Sequence, residues 1–338
     1  MPLILQLAMV FVAACLTTGI WCWLAHQHRW VDHPNTRSSH QIPTPRGGGI
    51  GVAAGFLCYL WWDQTLFGAG GWWLLFAGCM LLLTGLLDDL FSLPAGLRLV
   101  LQIAAVMAMW PFLSELPALQ FGVGVALSGV WLALLASLIM VAWINLFNFM
   151  DGIDALAASE AVFLCIGMTL VTALSGGGSA DLSALGLGVA TSGFLWFNLP
   201  RAKIFMGDAG SYFTAFAIAV CGLLQVQRFG LEWWALLILP GTFVVDSMTT
   251  LLGRLLARAV WYHPHKTHAY QLLAVLWNSH GLVVVCNASI NLLWLLPMAL
   301  LATRLPSLGP TLLVVAWLPL VVVVVVVRHK HANMHVQD

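Results

Sequence analysis

Charged residues are scarce in this chain, and their scarcity excludes the usual soluble protein classes. Only 8% of its 338 residues are Asp, Glu, Lys or Arg, whereas 61% are hydrophobic. A soluble domain carries roughly a quarter charged residues. The longest polar stretch covers about 30 residues, which is too short for a separate folded core. We therefore expect one integral membrane domain over residues 1–338, surrounded by the lipid bilayer and without a nucleic-acid partner.

Basic residues are missing from the start of the chain, where the first 28 residues contain neither Lys nor Arg. The first apolar run therefore lacks the basic segment of a cleaved signal peptide, and we expect it to be retained as a membrane span. The seven cysteines are scattered through apolar runs and form no CxxC pair. They are expected to be small packing residues, without a disulfide framework.

Long apolar runs predict eleven transmembrane helices, because each span needs about 20 mostly apolar residues. The runs are continuous and do not alternate, which favours helices over a β-barrel. The predicted spans lie at about 3–25, 47–62, 72–87, 99–113, 126–147, 155–174, 182–197, 211–227, 231–252, 282–302 and 309–327. The expected fold class is therefore an all-α polytopic membrane protein.

Lys and Arg are distributed unevenly between the loops, which predicts the orientation of the chain. With the N-terminus outside, eleven Lys and Arg residues fall on the inner side, and only Arg228 and Arg304 fall in outer loops. An error of one span near the middle of the chain would remove this asymmetry. We therefore expect a cytoplasmic C-terminus and a functional site among the polar inner loops.

Carboxylates are concentrated at the inner ends of the predicted spans, at Asp88, Asp89, Asp151, Asp154 and Asp208. Five carboxylates on one rim repel each other unless Lys, Arg or a divalent metal compensates for their charge. Mg²⁺ is held by few carboxylates and often takes substrate phosphate oxygens as further ligands. Each single Asp is also explained by solvation at the membrane surface, but the adjacent pair beside other polar loops favours a site.

The segment "NLFNFMDGIDALAASEA" (145–161) carries two Asn and two Asp at three-residue spacing. Three-residue steps along a helix drift by only about 60°, so Asn148, Asp151 and Asp154 can share one broad face. Asn145 lies a turn deeper, where a hydrogen bond to another helix is the simpler interpretation.

Three further polar features lie where predicted spans begin. "FMGDAGSYF" places Asp208 just before a span, where a helix N-terminus attracts anions, although a simple N-cap explains the same residues. Arg98 begins the fourth span, and either meets a phosphate or anchors the helix at the inner surface. "TPRGGGIG" (44–51) is interpreted as a flexible Gly loop, and it lacks the Lys-Ser/Thr ending of a P-loop.

The segment "HPHKTHAYQ" (263–271) contains three histidines beside Lys266. Zinc sites need further ligands, and the cysteines lie at membrane depth, so phosphate or base contacts are preferred. Asp246 differs because it lies inside the ninth predicted span. It is either a functional intramembrane acid or a hydrogen-bonding group within the bundle near Arg254.

Five motifs in this order, between residues 32 and 271, resemble the polyprenyl-phosphate N-acetylhexosamine-1-phosphate transferases: "PTPRGGG", "LDDLFSLPAGLR", "NLFNFMDGIDALA", "KIFMGDAGS" and "HPHKTHAYQ". The resemblance implies a transferase of ten or eleven helices in the bacterial inner membrane, with a periplasmic N-terminus and a cytoplasmic site. It implies a UDP-N-acetylhexosamine donor, undecaprenyl phosphate as acceptor, Mg²⁺ (or Mn²⁺ in its place) and release of UMP. The product would initiate O-antigen, lipopolysaccharide or a related surface polysaccharide, and a homodimer is compatible with it.

The catalytic residues implied by the resemblance are three aspartates. Asp88 is implied to handle the lipid phosphate and to act as its base. Asp89 is implied to contact the nucleotide or the metal, and Asp208 is implied to be the principal Mg²⁺ ligand.

The candidate substrate contacts are polar residues of the inner segments: Asn148, Asp151, Asp154, Arg98, Lys266, His265 and His268. The resemblance implies those other than Arg98 and Lys266. The first three are implied to contact the nucleotide and its diphosphate, and the two histidines to lie near the nucleotide. The Arg and the Lys would reduce the repulsion between two anionic substrates.

Two departures from the peptidoglycan branch of this family favour transfer of a simple N-acetylated sugar. The Gly loop lacks the longer, Lys-containing version of that branch, and the His loop lacks its run of adjacent histidines. Direct attack by the lipid phosphate and a covalent Asp intermediate both remain open. A UbiA-type prenyltransferase would show two NDxxD-like motifs, and an ion-coupled transporter would place its acids near the bilayer midplane; both remain as alternatives.

Overall fold

The computed structural model describes residues 2–32, 42–63, 71–111, 113, 116–122, 124–175, 182–256 and 267–334, with the backbone alone for 332–334. These residues are mostly helical. The helices are α1 (Leu3–Gln27), α2 (Gly49–Trp62), α3 (Trp72–Phe91), α4 (Ala95–Ala108), α5 (Gly129–Phe149), α6 (Leu156–Leu174), α7 (Ser183–Asn198), α8 (Gly207–Phe229), α9 (Trp233–Ile238), α10 (Gly241–Leu256), α11 (Ala269–Leu276), α12 (His280–Ile290), α13 (Leu296–Arg304) and α14 (Gly309–Met334).

Short antiparallel ribbons and turns complete the described chain. Strands β1 (Val31–Asp32) and β2 (Thr44–Pro45) pair in the segment between α1 and α2. Strands β3 (Leu119–Gly122) and β4 (Val125–Leu127) pair between α4 and α5. A π-helical turn (Asn291–Leu295) joins α12 to α13 in one continuous helix, and a 3₁₀ turn (Pro306–Leu308) precedes α14.

The expectation of a polytopic helical membrane protein is confirmed. Seven helices of the described chain are long and apolar enough to cross a bilayer. They are α1, α3, α5, α6, α8, the continuous α12–α13 helix and α14. Helices α2 and α4 have 14 residues each, which is short for a membrane span, so the count of eleven spans stays a prediction. The orientation of the chain in the membrane also stays a prediction.

The ninth predicted span, 231–252, is divided in the structure. It forms α9 and α10, with Leu239 and Pro240 between them. Proline has no N–H and cannot continue the hydrogen-bond ladder of α9, but it is tolerated where α10 begins. The Val244 amide takes up the carbonyl of Pro240, with an N–O distance of 3.0 Å.

Helix α8 is the centre of the bundle, and nearly all of its span is buried. It packs against α2, α3, α5, α6 and α7. Its N-terminus therefore meets the ends of several neighbouring helices. A Cβ on Gly85 of α3 would collide with the backbone of Asp208 and Ala209, so only glycine allows α3 to approach the start of α8 this closely.

The Gly loop (residues 45–49) is held against the segment that precedes α8. The Phe205 amide donates to the Pro45 carbonyl at 2.9 Å, and the Gly48 amide donates back to the Phe205 carbonyl at 2.9 Å. The Gly49 amide donates to the Met206 carbonyl at 3.1 Å. The main chain of 205–206 therefore pairs with the Pro45 carbonyl and the Gly48 and Gly49 amides, and the flexibility of the loop stays a prediction.

Candidate active site

The adjacent aspartates of α3 meet the N-terminus of α8. Asp89 Oδ1 accepts a hydrogen bond from the Asp208 amide at 3.0 Å, and Oδ2 accepts from the Ala209 amide at 3.1 Å. The first amides of a helix have no partner within the helix, and a carboxylate beside them is favourable. Gly207 precedes them with a positive φ of 72°, which directs the chain into α8.

The C-terminal end of α5 joins the same cluster through Asn148. Its Nδ2 donates to Asp208 Oδ1 at 2.6 Å and to Ser211 Oγ at 2.8 Å. The amide thus holds one oxygen of Asp208 in place. Three of the predicted motifs therefore meet at the start of α8.

Asp88 lies beside Asp89 but is engaged by different partners. Its Oδ1 accepts from the Leu93 amide, and its Oδ2 accepts from Arg98 Nη1, both at 2.7 Å. The hydroxyl of Tyr212 lies 3.3 Å from the same Oδ2. Both oxygens of Asp88 are occupied, and the ion pair holds the partly exposed Arg98 beside Asp88.

Asp151 follows the end of α5, outside the membrane-spanning helices. Burial raises the pKa of its carboxyl well above the ordinary range, and the negative charge of Asp89 raises it further, whereas Arg46 acts in the opposite direction. Among the described residues, none donates a hydrogen bond to this carboxylate. Its oxygens are therefore available to a ligand or a cation.

Arg46 belongs to this site and was missed as a site residue in the sequence. Its Nη2 donates to Asp32 Oδ2 at 2.6 Å, and its charge acts on Asp89, Asp208 and Asp151. Burial lowers the pKa of its guanidinium, but Asp32, Asp89 and Asp208 together outweigh this and the pKa is raised. The available signal was the one cation inside the "PTPRGGG" motif.

Asp154 is buried and is held by its surroundings. The Ala202 amide donates to its Oδ2 at 3.1 Å, and His280 Nδ1 lies 3.3 Å from the same oxygen. These contacts fasten the segment before α6 to the loop that precedes α8 and to the start of α12. A nucleotide contact of Asp154 stays a prediction.

Asn145 bonds a neighbouring helix. Its Nδ2 donates to Gln102 Oε1 in α4 at 2.7 Å, about one helical turn before Asn148 in α5. This agrees with the simpler interpretation of its position in the motif.

Asp246 makes hydrogen bonds within the bundle. Its oxygens accept from the amides of Ala269 and Tyr270 at 2.9 and 3.0 Å, so it caps the N-terminus of α11 from α10. The Tyr270 hydroxyl donates to the Phe149 carbonyl at 2.8 Å and ties α11 to the end of α5. The second of the two interpretations of Asp246 is supported, with α11 as its partner.

His268 precedes α11 and is buried between aromatic rings. It stacks on Tyr270, and its Nδ1 lies 3.7 Å from Asp246 Oδ1. Its proximity to a bound nucleotide stays a prediction. His265 and Lys266 lie outside the described residues.

The carboxylate oxygens at the start of α8 fit a divalent cation whose remaining ligands come from water and a substrate. The carboxyls of Asp88 and Asp208 lie within hydrogen-bond distance of each other, a contact that needs a shared proton or a cation. Across the described ranges, no three His, Cys, Asp or Glu side chains converge as a complete metal site. This matches Mg²⁺, which is typically held by one or two carboxylates, waters and substrate phosphates.

Comparisons with known proteins show which proteins this chain is similar to. The family model described as glycosyl transferase family 4 matches residues 72–226. A probable undecaprenyl-phosphate N-acetylglucosaminyl 1-phosphate transferase of Bacillus subtilis is 29% identical over 83% of this chain and 81% of its own length. A decaprenyl-phosphate N-acetylglucosaminephosphotransferase of Mycobacterium tuberculosis is 30% identical over 83% of this chain and 78% of its own.

A third relative matches only part of the chain. A phospho-N-acetylmuramoyl-pentapeptide-transferase of Chlamydia muridarum is 36% identical over 136 residues, which are 38% of this chain and 39% of its own. The residues matched by the family model run from the start of α3 into the last turn of α8. They include the acidic cluster and Asn148.

Proposed function

Because this chain belongs to glycosyl transferase family 4, we propose that it transfers a hexosamine 1-phosphate from a nucleotide-linked sugar to a polyprenyl phosphate. The observation that carries the proposal is the convergence of Asp89, Asn148 and Asp208 at the N-terminus of α8. A helix N-terminus with carboxylates and nearby Arg suits phosphate groups bridged by a divalent cation. The family assignment leaves the prenyltransferase and transporter alternatives without support.

In its specific form, the proposed donor is a UDP-N-acetylhexosamine and the acceptor is undecaprenyl phosphate. The names of the B. subtilis and M. tuberculosis relatives combine a polyprenyl phosphate with N-acetylglucosamine, and both relatives align over most of this chain. The muramoyl-pentapeptide relative aligns over less than half of it. A simple N-acetylated sugar is therefore favoured over a sugar that carries a peptide.

In the proposed reaction, an oxygen of the lipid phosphate attacks the phosphorus that bears the sugar. The bond from this phosphorus to the UMP oxygen breaks, UMP leaves, and the lipid carries a diphosphate-linked sugar. The two substrates are both anionic, so cationic side chains must bring them together. Arg98, held by Asp88, is suited to the lipid phosphate, and Arg46 is suited to the donor diphosphate.

The remaining site residues are proposed to orient the donor. Asn148 holds Asp208 in place, and Asp151 presents unoccupied carboxylate oxygens to the nucleotide side. Asp208 and Asp89 are the groups that would hold Mg²⁺ or Mn²⁺. The cation would supply charge compensation to the phosphate oxygens as the phosphorus is attacked.

The product is proposed to initiate O-antigen or a related surface polysaccharide at the bacterial inner membrane. The homodimer that the resemblance allows stays a prediction. Deletion of the protein from its host should remove the polysaccharide, and expression of the intact chain should restore it.

The test of the reaction uses the purified full-length protein, undecaprenyl phosphate, Mg²⁺ and a panel of UDP-N-acetylhexosamines. UMP should appear only when both the lipid and a suitable donor are present. Folded protein that releases no UMP with any donor would refute the proposal. Labelled UDP-sugar without lipid should leave the protein unlabelled, and a labelled protein would favour a covalent Asp intermediate over direct attack.

A further inference from the structure

A buried polar cluster lies inside the bundle, separate from the acidic site. Glu160 of α6 is completely buried, and its Oε2 accepts hydrogen bonds from Asn287 Nδ2 at 2.8 Å and from Asn291 Nδ2 at 2.5 Å. Thr242 Oγ1 lies 3.4 Å from Oε1. We call these four residues the Glu160 cluster. A buried carboxyl is expensive unless it is hydrogen-bonded, and here the donors come from α10, α12 and the π turn.

The π turn begins at one of these donors. Asn291 opens the turn, and Asn287 lies four residues earlier on the same side of the helix. Isolated π turns are rare and often occur at functional positions. Here the widened turn begins at Asn291, the second residue of this helix whose side-chain amide donates to Glu160.

The cluster is connected to the proposed donor site through α6 and α12. Asp154, just before α6, meets His280 at the start of α12, and Glu160 meets Asn287 further along both helices. The two acids lie six positions apart in the chain and their partners lie seven apart, which correspond to similar lengths of about 9–11 Å along a helix. The two helices therefore run side by side from the site and are fastened at two levels.

The segment from Asp151 to Asp154 is connected to both helices, because it leads into α6 and Asp154 contacts His280 of α12. Below it, α6 begins directly at Leu156, and the Ala155 amide donates to Asn198 Oδ1 at 2.9 Å. Any rotation of α6 against α12 would shift the carboxylates of this segment relative to Asp208. The hydrogen bonds of Glu160 oppose that rotation.

We infer that Glu160 is a positioning residue that sets the donor-facing segment 151–154 through its hydrogen bonds to α12 and the π turn. The inference rests on the proposed function, because that function identifies the ligand of this segment as the UDP-sugar donor. Hydrogen bonding carries the effect, and a negative charge on Glu160 is not required.

The test compares Glu160→Leu with Glu160→Gln in the full-length protein. Leu fills the space but leaves both Asn side chains without their acceptor. The Gln oxygen can take the place of Oε2, while its NH₂ group faces the hydroxyl of Thr242. Glu160→Leu should raise the KM for the UDP-sugar by about tenfold or more, with a smaller change in kcat and none in the KM for the lipid. Glu160→Gln should remain near the wild type.

Hydrogen–deuterium exchange supplies a readout that does not depend on activity. In Glu160→Leu, amides 150–155 should exchange at least about fivefold faster, whereas a peptide from α14 and all of Glu160→Gln should be unchanged. If Glu160→Leu does not fold, Asn287→Leu removes only one donor and should show the same changes to a smaller extent.

The outcomes separate the inference from the proposed function. Unchanged exchange at 150–155, or faster exchange in every peptide, overturns the inference whatever the activity. Loss of function in Glu160→Gln equal to that in Glu160→Leu also overturns it, because the charge would then be needed. A wild type that turns over no donor overturns the proposed function alone.

Discussion

Asp208 is the single residue at which the contacts of the site converge. Asp89 holds its amide, Asn148 holds one carboxylate oxygen, and Asp88 lies against its side chain. A residue with these contacts can hold a cation only if its side chain keeps a negative charge.

Replacing Asp208 by Asn should therefore abolish most of the turnover without unfolding the bundle. The amide oxygen can still accept from Asn148, but the cation loses its principal anionic ligand. Charge stabilisation of several kcal/mol corresponds to a loss of at least about a hundredfold in kcat. UMP release and thermal unfolding are measured together.

The matched control for this variant is Asp63→Asn at the end of α2. Asp63 accepts from the hydroxyl of Tyr59 at 3.2 Å, in the same helix and away from the start of α8. It should leave UMP release unchanged. Retained turnover in Asp208→Asn would exclude the proposed metal role.

Replacing Arg46 by Ala should raise the KM for the UDP-sugar by about tenfold, because the donor diphosphate would meet several carboxylates without this cation. The KM of Arg46→Lys should lie between those of the wild type and Arg46→Ala, since Lys keeps the charge but cannot form bidentate contacts with phosphate. Initial rates over a range of donor concentrations measure the effect.

Arg228→Ala at the exposed end of α8 serves as the control for Arg46 and should leave the KM unchanged. A fall in kcat with an unchanged donor KM would show that Arg46 acts on the carboxylates and not on the donor.

The sequence was sufficient for some residues and not for others. Adjacent Asp88 and Asp89, together with Gly-Asp before a span, pointed to one acidic site, and the structure brings them together. Arg46 was not distinguishable from an ordinary inner-side cation, because its neighbours come from distant segments. Glu160 stands alone in an apolar run, and its partners Asn287 and Asn291 lie about 130 residues later, beyond the reach of any local pattern.

Among the elements, the contact between α3 and the start of α8 leaves no room for a side chain at Gly85. Gly85→Ala should displace the Asp208 and Ala209 amides from Asp89, because the new methyl group meets backbone that cannot rotate away. We expect strong loss of UMP release and a lower unfolding temperature.

Gly96→Ala in α4 is the matched control, since a Cβ there meets nothing within 4 Å. It should keep full activity, and its stability should stay equal or rise by up to about 1 kcal/mol, as alanine favours helix. Equal behaviour of the two variants would contradict the proposed close contact.

Apolar runs predicted the helices well, because continuous hydrophobic stretches in a bilayer have few alternatives to helix. They did not predict the break at Pro240 or the π turn at Asn291. The break reflects one missing N–H, and the π turn depends on side-chain partners in another helix, so neither is visible in hydrophobicity.

For the whole molecule, the charge distribution makes a testable statement about topology. Because loops rich in Lys and Arg stay on the cytoplasmic side, the C-terminus should be cytoplasmic. A green fluorescent protein fused to residue 338 should fluoresce, and alkaline phosphatase fused there should be inactive. The reverse pattern would place the C-terminus outside and move the acidic site to the other face.

The main-chain bonds between the Gly loop and residues 205–206 join segments that leave the ribosome at very different times. Gly49 precedes its acceptor Met206 by about 160 residues, which corresponds to roughly 8–30 s of synthesis. During that interval the Gly48 and Gly49 amides lack the acceptors that they have in the folded protein. Nascent chains that end before α8 therefore contain the aspartate pair of α3 without the α8 amides that meet Asp89.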